Sequence, residues 1–260
     1  MADEIPADHP RAEALRIRHR LTDAVDTLIV AKAGLLAHGR GEAFDYLFGE
    51  KTPAPAEDAM RVAVAMLLSA QHPVISANGN TVALDSKVLV DLARAVGAKL
   101  EVNIFYTAPG RIEAIRSELE SAGAEEILGL GDVEPETIPE LSSNRRVVDP
   151  RGIFIADVVL VPLEDGDRTE ALRKMGKSVV AIDLNPLSRT AQMANVTIVD
   201  NFLRCMPRMI ELVGEMREWS SDQLQELIAS FNNAENLRAS MQVMIDHLTE
   251  LAQQGVFMSL

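Results

Sequence analysis

The sequence predicts an α/β protein: a mostly parallel, doubly wound sheet with helices on both faces, N-terminal helices before it and a C-terminal helical segment after it. Three observations predict it. Short β-branched runs recur without polar alternation, as expected of strands covered on both faces. Helical segments fall between most of those runs, which suits parallel crossover units. Five of the six runs end in polar or glycine-bearing stretches, placed where such sheets bind ligands.

In chain order, an irregular start ends at His9-Pro10, and a helix is predicted from about Arg11 to Ala31. Leu15, Leu21, Val25, Leu28 and Ile29 form its apolar face, and Arg18 falls within that arc whereas Arg16 and Arg20 point away. A core-directed guanidinium needs a partner. An internal pair with Glu42 or Asp45 satisfies that, and so does a bound anion shared with Arg40; the second reading is preferred. The stretch AHGRGEAFDYLFGE, from Ala37 to Glu50, follows. Gly39 and Gly41 flank Arg40 and are read as a sharp turn entering a helix at Glu42–Leu47. Backbone N–H groups, helix dipole and guanidinium would there converge on a phosphate or carboxylate, though a solvated interhelical turn accounts for the same residues. The stretch is neither a Walker loop nor a dinucleotide fingerprint: a residue intrudes between Gly49 and Lys51, and Phe44 stands where a third glycine belongs.

A helix over Pro55–Gln71 carries the stripe Met60, Val64, Leu67 and Leu68. Strands are then predicted at Val74–Ala77, Leu100–Phe105, Glu126–Leu128, Asp157–Val161, Val179–Asp183 and Val196–Val199, with helices at Ser86–Val96, Arg111–Ala122 and Arg168–Met175. The strand ends carry Asn78-Gly79-Asn80, Tyr106-Thr107, a run from Pro162 through Asp167 to Thr169, a run from Asp183 through Asn185 to Thr190, and Asp200-Asn201. An acid closing a strand suits ribose hydroxyls or a magnesium ion, and both Asp183 and Asp200 are so placed. Ser188, Arg189 and Thr190 suit phosphate. Singly, Asp165-Gly166 is turn chemistry and Asn201 a helix cap; their recurrence along one sheet edge favours a site.

Residues 132–154 are rich in Pro, Ser and charge and read as a long connection, with Arg145, Arg146 and Arg151 on a solvated loop. Past Asp200 the chain is predicted helical, with a helix starting near Pro207 and caps at Ser220 with Gln223 and Asn232 with Glu235. These helices are expected to pack on their own subunit, with an antiparallel dimer contact as a second use.

Composition narrows the function classes. A net charge of −14 in 260 residues argues against a nucleic-acid partner. The single cysteine, Cys205, excludes an internal disulfide and is read as a buried thiol. No apolar run approaches the roughly 18 residues of a membrane span, and the acidic start is unlike a signal peptide, so a cytoplasmic protein is expected. No metal-binding histidine pair, serine elbow or Cys–His pair is present; His38 is the one histidine in an informative place. The clustered Arg, Asp, Asn, Ser and Thr suit phosphates and an adenosine. A non-catalytic nucleotide-binding module is compatible with all of this.

The runs HPRAEALRIRHRL, AKAGLLAHGRGEAFDYLFGEKT, HPVISANGN, VVLVPLEDGDRTEALRKMGK and IDLNPLSRTAQMANVTIVDN together resemble the archaeal phosphopantothenate synthetases over nearly the whole chain, HGRGEAFDYL and DLNPLSR being the most distinctive. The resemblance implies one Rossmann-like ligase domain, with a helical part at 1–72, the core at 73–202 and C-terminal helices at 203–260. It implies a homodimer of coenzyme A biosynthesis that joins 4-phosphopantoate to β-alanine, releasing AMP and diphosphate through an acyl-adenylate. A related ligase with another acid or amine stands as the alternative. The resemblance also implies ATP contacts at Arg18, Arg40, Asp183, Leu184, Asn185, Arg189, Thr190, Asp200 and Asn201. Mg2+ is expected to accompany ATP, with no protein metal ligands assigned. His38, Asn78, Asn80 and Asp167 are candidates for the acid and amine pockets, because they share the same sheet edge.

Overall fold

The computed structural model describes residues 5, 6, 8, 9, 11–141 and 143–255. Five parallel strands form the main sheet: β1 (Pro73–Ala77), β2 (Lys99–Val102), β5 (Val158–Pro162), β6 (Ser178–Ile182) and β7 (Val196–Ile198), in the order β2-β1-β5-β6-β7. The expected segment at Glu126–Leu128 contributes only a bridge between Leu128 and Glu101 at the sheet edge. Alternate side chains separate onto two faces. Ile75, Leu160, Val180 and Ile198 enter one core, and Val74, Val159, Val161 and Val179 enter another. That two-sided burial is why the strands read as unbroken apolar runs.

The first core is closed by α1 (Ala12–Asp26), α3 (Ala54–Ser69), α4 (Gly79–Val96), α5 (Arg111–Ser121), α8 (Phe202–Met216) and α9 (Ser221–Ala229). α3 is buried on almost every side, lying between β7 and the C-terminal helices α9 and α10 (Asn233–Gln254). The expected packing of those helices on their own chain is therefore observed. The second core is covered by α6 (Gly166–Lys174) and by residues from the 132–156 connection. That connection is not the solvated loop expected of it. β3 (Glu136–Thr137) pairs antiparallel with β4 (Val147–Val148), and Ile138, Leu141, Val148 and Ile153 are buried. A sheet face that must be covered recruits what the chain supplies between β2 and β5.

Three helix boundaries also differ from expectation. α1 ends at Asp26, and the chain reverses through Leu28, whose φ is +67°. α2 (Lys32–Phe48) then runs without interruption through Gly39, Arg40 and Gly41. The glycine–arginine turn at a helix start is thus corrected: these residues lie mid-helix, where each glycine costs about 1 kcal/mol relative to alanine. At the C-terminal side, Asn201 caps α8, so Pro207 lies inside the helix instead of opening it. The cap prevails because the Asn201 side chain accepts from the Leu203 N–H. The capping box at Ser220 and Gln223 forms as expected, and Cys205 is buried.

Candidate functional site

With its strands counted along the chain, the sheet has the doubly wound order 2-1-3-4-5, and its crevice opens between β1 and β5. Asn78, closing β1, spans that crevice: its Nδ2 donates to Pro162 O at 2.9 Å, while its Oδ1 caps α4 by accepting from the backbones of Asn80 and Thr81. Its side chain is thereby committed to building the edge. Asn80 reaches the other way, donating to Gly34 O of α2 at 2.9 Å. α2 is thus fastened above the ends of the strands.

Two adjoining cavities lie between α2 and the strand ends. The first, about 580 Å³, is bounded by His38, Arg40 and Gly41 of α2 and by the edge residues Asp183, Asn185 and Arg189. The second, about 720 Å³, runs over Asn78 and Gly79 toward Phe105, Arg111 and Arg145. Arg40, Asn80 and the ledge Leu163–Asp165 belong to both. The ledge turns on Leu163, a non-glycine residue at φ +54°. A Cβ on Gly39 would meet nothing within 4 Å, and one on Gly41 only Leu184 at 3.9 Å. The protein's own packing therefore requires neither glycine; Gly41 leaves the helix wall thin toward the first cavity, which Gly39 does not line.

Of the residues carried over as ATP contacts, Arg40, Asp183, Leu184, Asn185, Arg189, Thr190 and Asn201 line the first cavity. Arg40 is exposed and makes no ion pair or hydrogen bond among the described residues. Asp183 accepts from Ser188 Oγ and from the Asn185 N–H at 2.9 Å, which sets the loop after β6. Burial raises its pKa, and the Arg40 charge opposes the rise. Thr190 donates to Glu164 O at 2.9 Å, joining this loop to the ledge. Arg189 pairs with Asp167 and Glu170, and a Cβ on Gly166 would lie 2.5 Å from that of Arg189. Asp167 itself is exposed, lies in neither cavity and reaches the site through Arg189.

Two of the expected positions stand outside the cavity walls. Arg18 is half-buried and paired with Glu42, which lines the first cavity, at 2.8 Å, so the internal pair is the arrangement observed. Asp200 is buried beneath the wall, accepting from Thr52 Oγ1 at 2.7 Å and from Arg204. His38 is half-buried in the first cavity; burial lowers its pKa against the nearby Glu42 charge.

Sequence reasoning missed Arg204 and Arg111. Arg204 binds both carboxylate oxygens of Asp45, at 2.6 and 3.0 Å, and also holds Asp200. Burial disfavours its charge, but those two acids outweigh it and hold the guanidinium above its ordinary range. The signal was the helical four-residue spacing from Asp200. For Arg111 it was a cation at the first position of α5, where it opposes the helix dipole.

Behind the ledge lies a buried charged cluster. Glu164 accepts from both Arg145 and Arg168, and Arg168 also donates to Ser76 Oγ on β1 at 3.0 Å. Burial pushes the pKa of each arginine down to about 10. Arg145 is therefore corrected from a loop cation to a buried one. Arg151 instead is exposed and pairs with the buried Asp149 and the exposed Asp132, and Arg146 is exposed. Nearby, Glu101 accepts from the Asp149 and Ile153 N–H groups at 3.0 and 2.6 Å. Burial, opposed by those bonds and by Arg168, raises its pKa from 4.5 to about 7.

The folded chain therefore retains a proton on Glu101 that the unfolded chain releases. This contribution to stability is fully present below the ordinary pKa of 4.5 and is lost as pH rises through about 7. Between about pH 5 and pH 8 the wild type is expected to lose on the order of 3 kcal/mol from this group. Glu101→Gln removes that slope, which denaturant titrations of both proteins across the window will measure.

The same arrangement can be set beside known proteins. The profile of the phosphopantothenate/pantothenate synthetase family matches residues 55–247. A Thermococcus kodakarensis protein named 4-phosphopantoate–β-alanine ligase is 51% identical over 254 residues, 97% of each chain. A Methanosarcina mazei protein of that name is 45% identical over 251 residues, covering 96% of this chain and 98% of its own. One from Methanospirillum hungatei is 42% identical over 244 residues, covering 94% and 98%.

Proposed function

The chain belongs to the phosphopantothenate/pantothenate synthetase family, and on that premise we propose that it is a 4-phosphopantoate–β-alanine ligase of coenzyme A biosynthesis. ATP occupies the first cavity and the acid the second, with the reacting carboxylate and the α-phosphate meeting at Arg40. The observation that carries this reading is the shared wall: a guanidinium with no ion pair among the described residues stands where the two cavities join, over the crevice between β1 and β5.

The chemistry requires two anions to be brought together. An oxygen of the acid's carboxylate attacks the α-phosphorus of ATP; the bond to the bridging oxygen breaks, and diphosphate leaves. The β-alanine amine then attacks the acyl carbon, loses a proton, and displaces AMP. Arg40 offsets the repulsion between carboxylate and triphosphate without first breaking an ion pair, so its charge is available when the transition state forms. Asp183 and Asn185 shape the wall assigned to the nucleoside, while Arg189 and Thr190 face its phosphates. Arg18 and Asp200 act from behind: one keeps Glu42 paired, the other holds Arg204 in the wall. His38, kept neutral by burial, is our candidate for accepting the amine's proton. Among the described residues, no three His, Cys, Asp or Glu side chains form a metal cage. That donor set fits magnesium carried on the phosphates with at most a carboxylate such as Asp183, and the ion would supply charge neutralisation.

A homodimer and a cytoplasmic setting belong to the same reading. The sequence resemblance supports them, and no described helix is long and apolar enough to cross a membrane. The decisive assay follows diphosphate and AMP. Diphosphate is expected only when ATP and 4-phosphopantoate are both present, and AMP accumulates when β-alanine is added. Nucleotide binding without diphosphate release would identify a binding module instead, and faster turnover with another acid or amine would reassign the substrate.

A further inference from the structure

The second cavity is apolar where solvent reaches it. Leu36 of α2, Phe105 and Tyr106 all line this cavity, yet they are 74%, 40% and 52% exposed. A chain only 4% aromatic thus sets two consecutive aromatic side chains at one opening. Their ring centroids are 4.7 Å apart, within the range of favourable aromatic pairs. The loop that carries them, between β2 and α5, is braced at both residues. The Arg145 guanidinium carbon stands 6.0 Å from the centre of the Phe105 ring. Arg111 donates to Tyr106 O at 2.7 Å and to Leu28 O at 2.8 Å, which joins the loop to the turn before α2. Leu36 comes from the helix itself. It precedes Arg40 by four residues on α2, and side chains at that spacing share a face. The apolar opening therefore begins one helical turn from the guanidinium at which the cavities join. Large apolar side chains left in water are unfavourable, and a molecule bound in the cavity would cover them.

An acyl-adenylate formed beside Arg40 has two fates. Attack by the β-alanine amine on the acyl carbon breaks its bond to the AMP oxygen and gives the amide. Attack by water breaks the same bond and returns the acid with AMP, so that ATP is consumed without product. Resting on the ligase reading, we infer that Leu36, Phe105 and Tyr106 form an apolar collar that keeps water from the acyl carbon until the amine arrives. Laid over the bound intermediate, their side chains exclude solvent from it. The first cavity, vacated by diphosphate, is left as the amine's way in. The collar takes no part in proton transfer; its effect is on the partition between amine and water.

The test counts AMP against amide, using the full chain. Leu36→Asn, which nearly keeps the volume and adds polarity, and Phe105→Ala are compared with wild type given ATP and 4-phosphopantoate alone. Each variant is expected to raise AMP release without β-alanine on the order of 10-fold, the scale of uncovering one large apolar side chain. With β-alanine present, the variants form more AMP than amide, whereas wild type forms the two equally. Leu36→Met, which stays apolar, keeps the wild-type ratio. In heavy-oxygen water the label enters the carboxylate of the recovered acid, as attack on the acyl carbon requires. Label found in AMP would mean attack on phosphorus and would overturn the proposal. Equal AMP and amide in Leu36→Asn and Phe105→Ala, however slow their turnover, would also overturn it and leave these side chains as contacts for substrate or for a second copy. Wild type that releases no diphosphate with ATP and the acid removes the ligase reading itself, whereas release with fully coupled variants removes only the collar.

Discussion

Arg40→Ala lowers kcat/KM for ligation by about three orders of magnitude and leaves the melting temperature unchanged. The first expectation follows from placement. A preorganised donor aimed at developing negative charge contributes about 10²- to 10³-fold by itself, and Arg40 must serve the carboxylate and the triphosphate together. The second follows from isolation: the side chain is exposed and bonded to nothing among the described residues, so its removal changes stability by roughly 0.5 kcal/mol or less. Arg40→Lys keeps a point charge and loses the planar fork, and it is expected to fall between wild type and alanine. Steady-state diphosphate release with thermal melts on the same preparations checks both parts. Near-normal turnover in the alanine variant would remove Arg40 from the mechanism.

Arg204→Ala has the opposite profile, a loss of fold before a loss of chemistry. The side chain joins Asp45 of α2, 6% exposed, to Asp200 at the end of β7, 1% exposed. Without it two buried carboxylates face each other with no cation, and a loss of about 3–5 kcal/mol is expected. In a chain of this size that lowers the melting temperature by about 10 °C. The double variant Asp45→Asn with Arg204→Met should recover part of the loss, because one stranded charge is removed along with its partner. Denaturant titrations of the single and double variants measure the coupling; full stability in Arg204→Ala would show that solvent or repacking satisfies both acids.

The contrast between these two arginines marks what was legible in the sequence. Strand positions were readable because burial on both faces writes itself as unbroken Val, Ile and Leu runs, and the polar ends of those runs marked one functional edge. Family membership was readable from HGRGEAFDYL and DLNPLSR, since those residues stand together whatever their conformation. Which charges are spent on the fold and which remain for a ligand was not readable. Local pattern placed Gly39-Arg40-Gly41 in a turn, yet α2 runs through them, because its other residues are held against α4 and α10 and packing outweighs the local preference of two glycines. Arg18 and Arg40 looked equivalent in sequence; only the approach of Glu42 to the first separates them. Arg145 looked solvated until the connection carrying it closed over a sheet face. Periodicity and motif depend on neighbours along the chain, so the sequence alone determined the architecture, the edge and the family. Ion pairs depend on residues brought together from distant segments, as Arg204 is to Asp45, and the tertiary structure alone decided which guanidiniums remain unpaired.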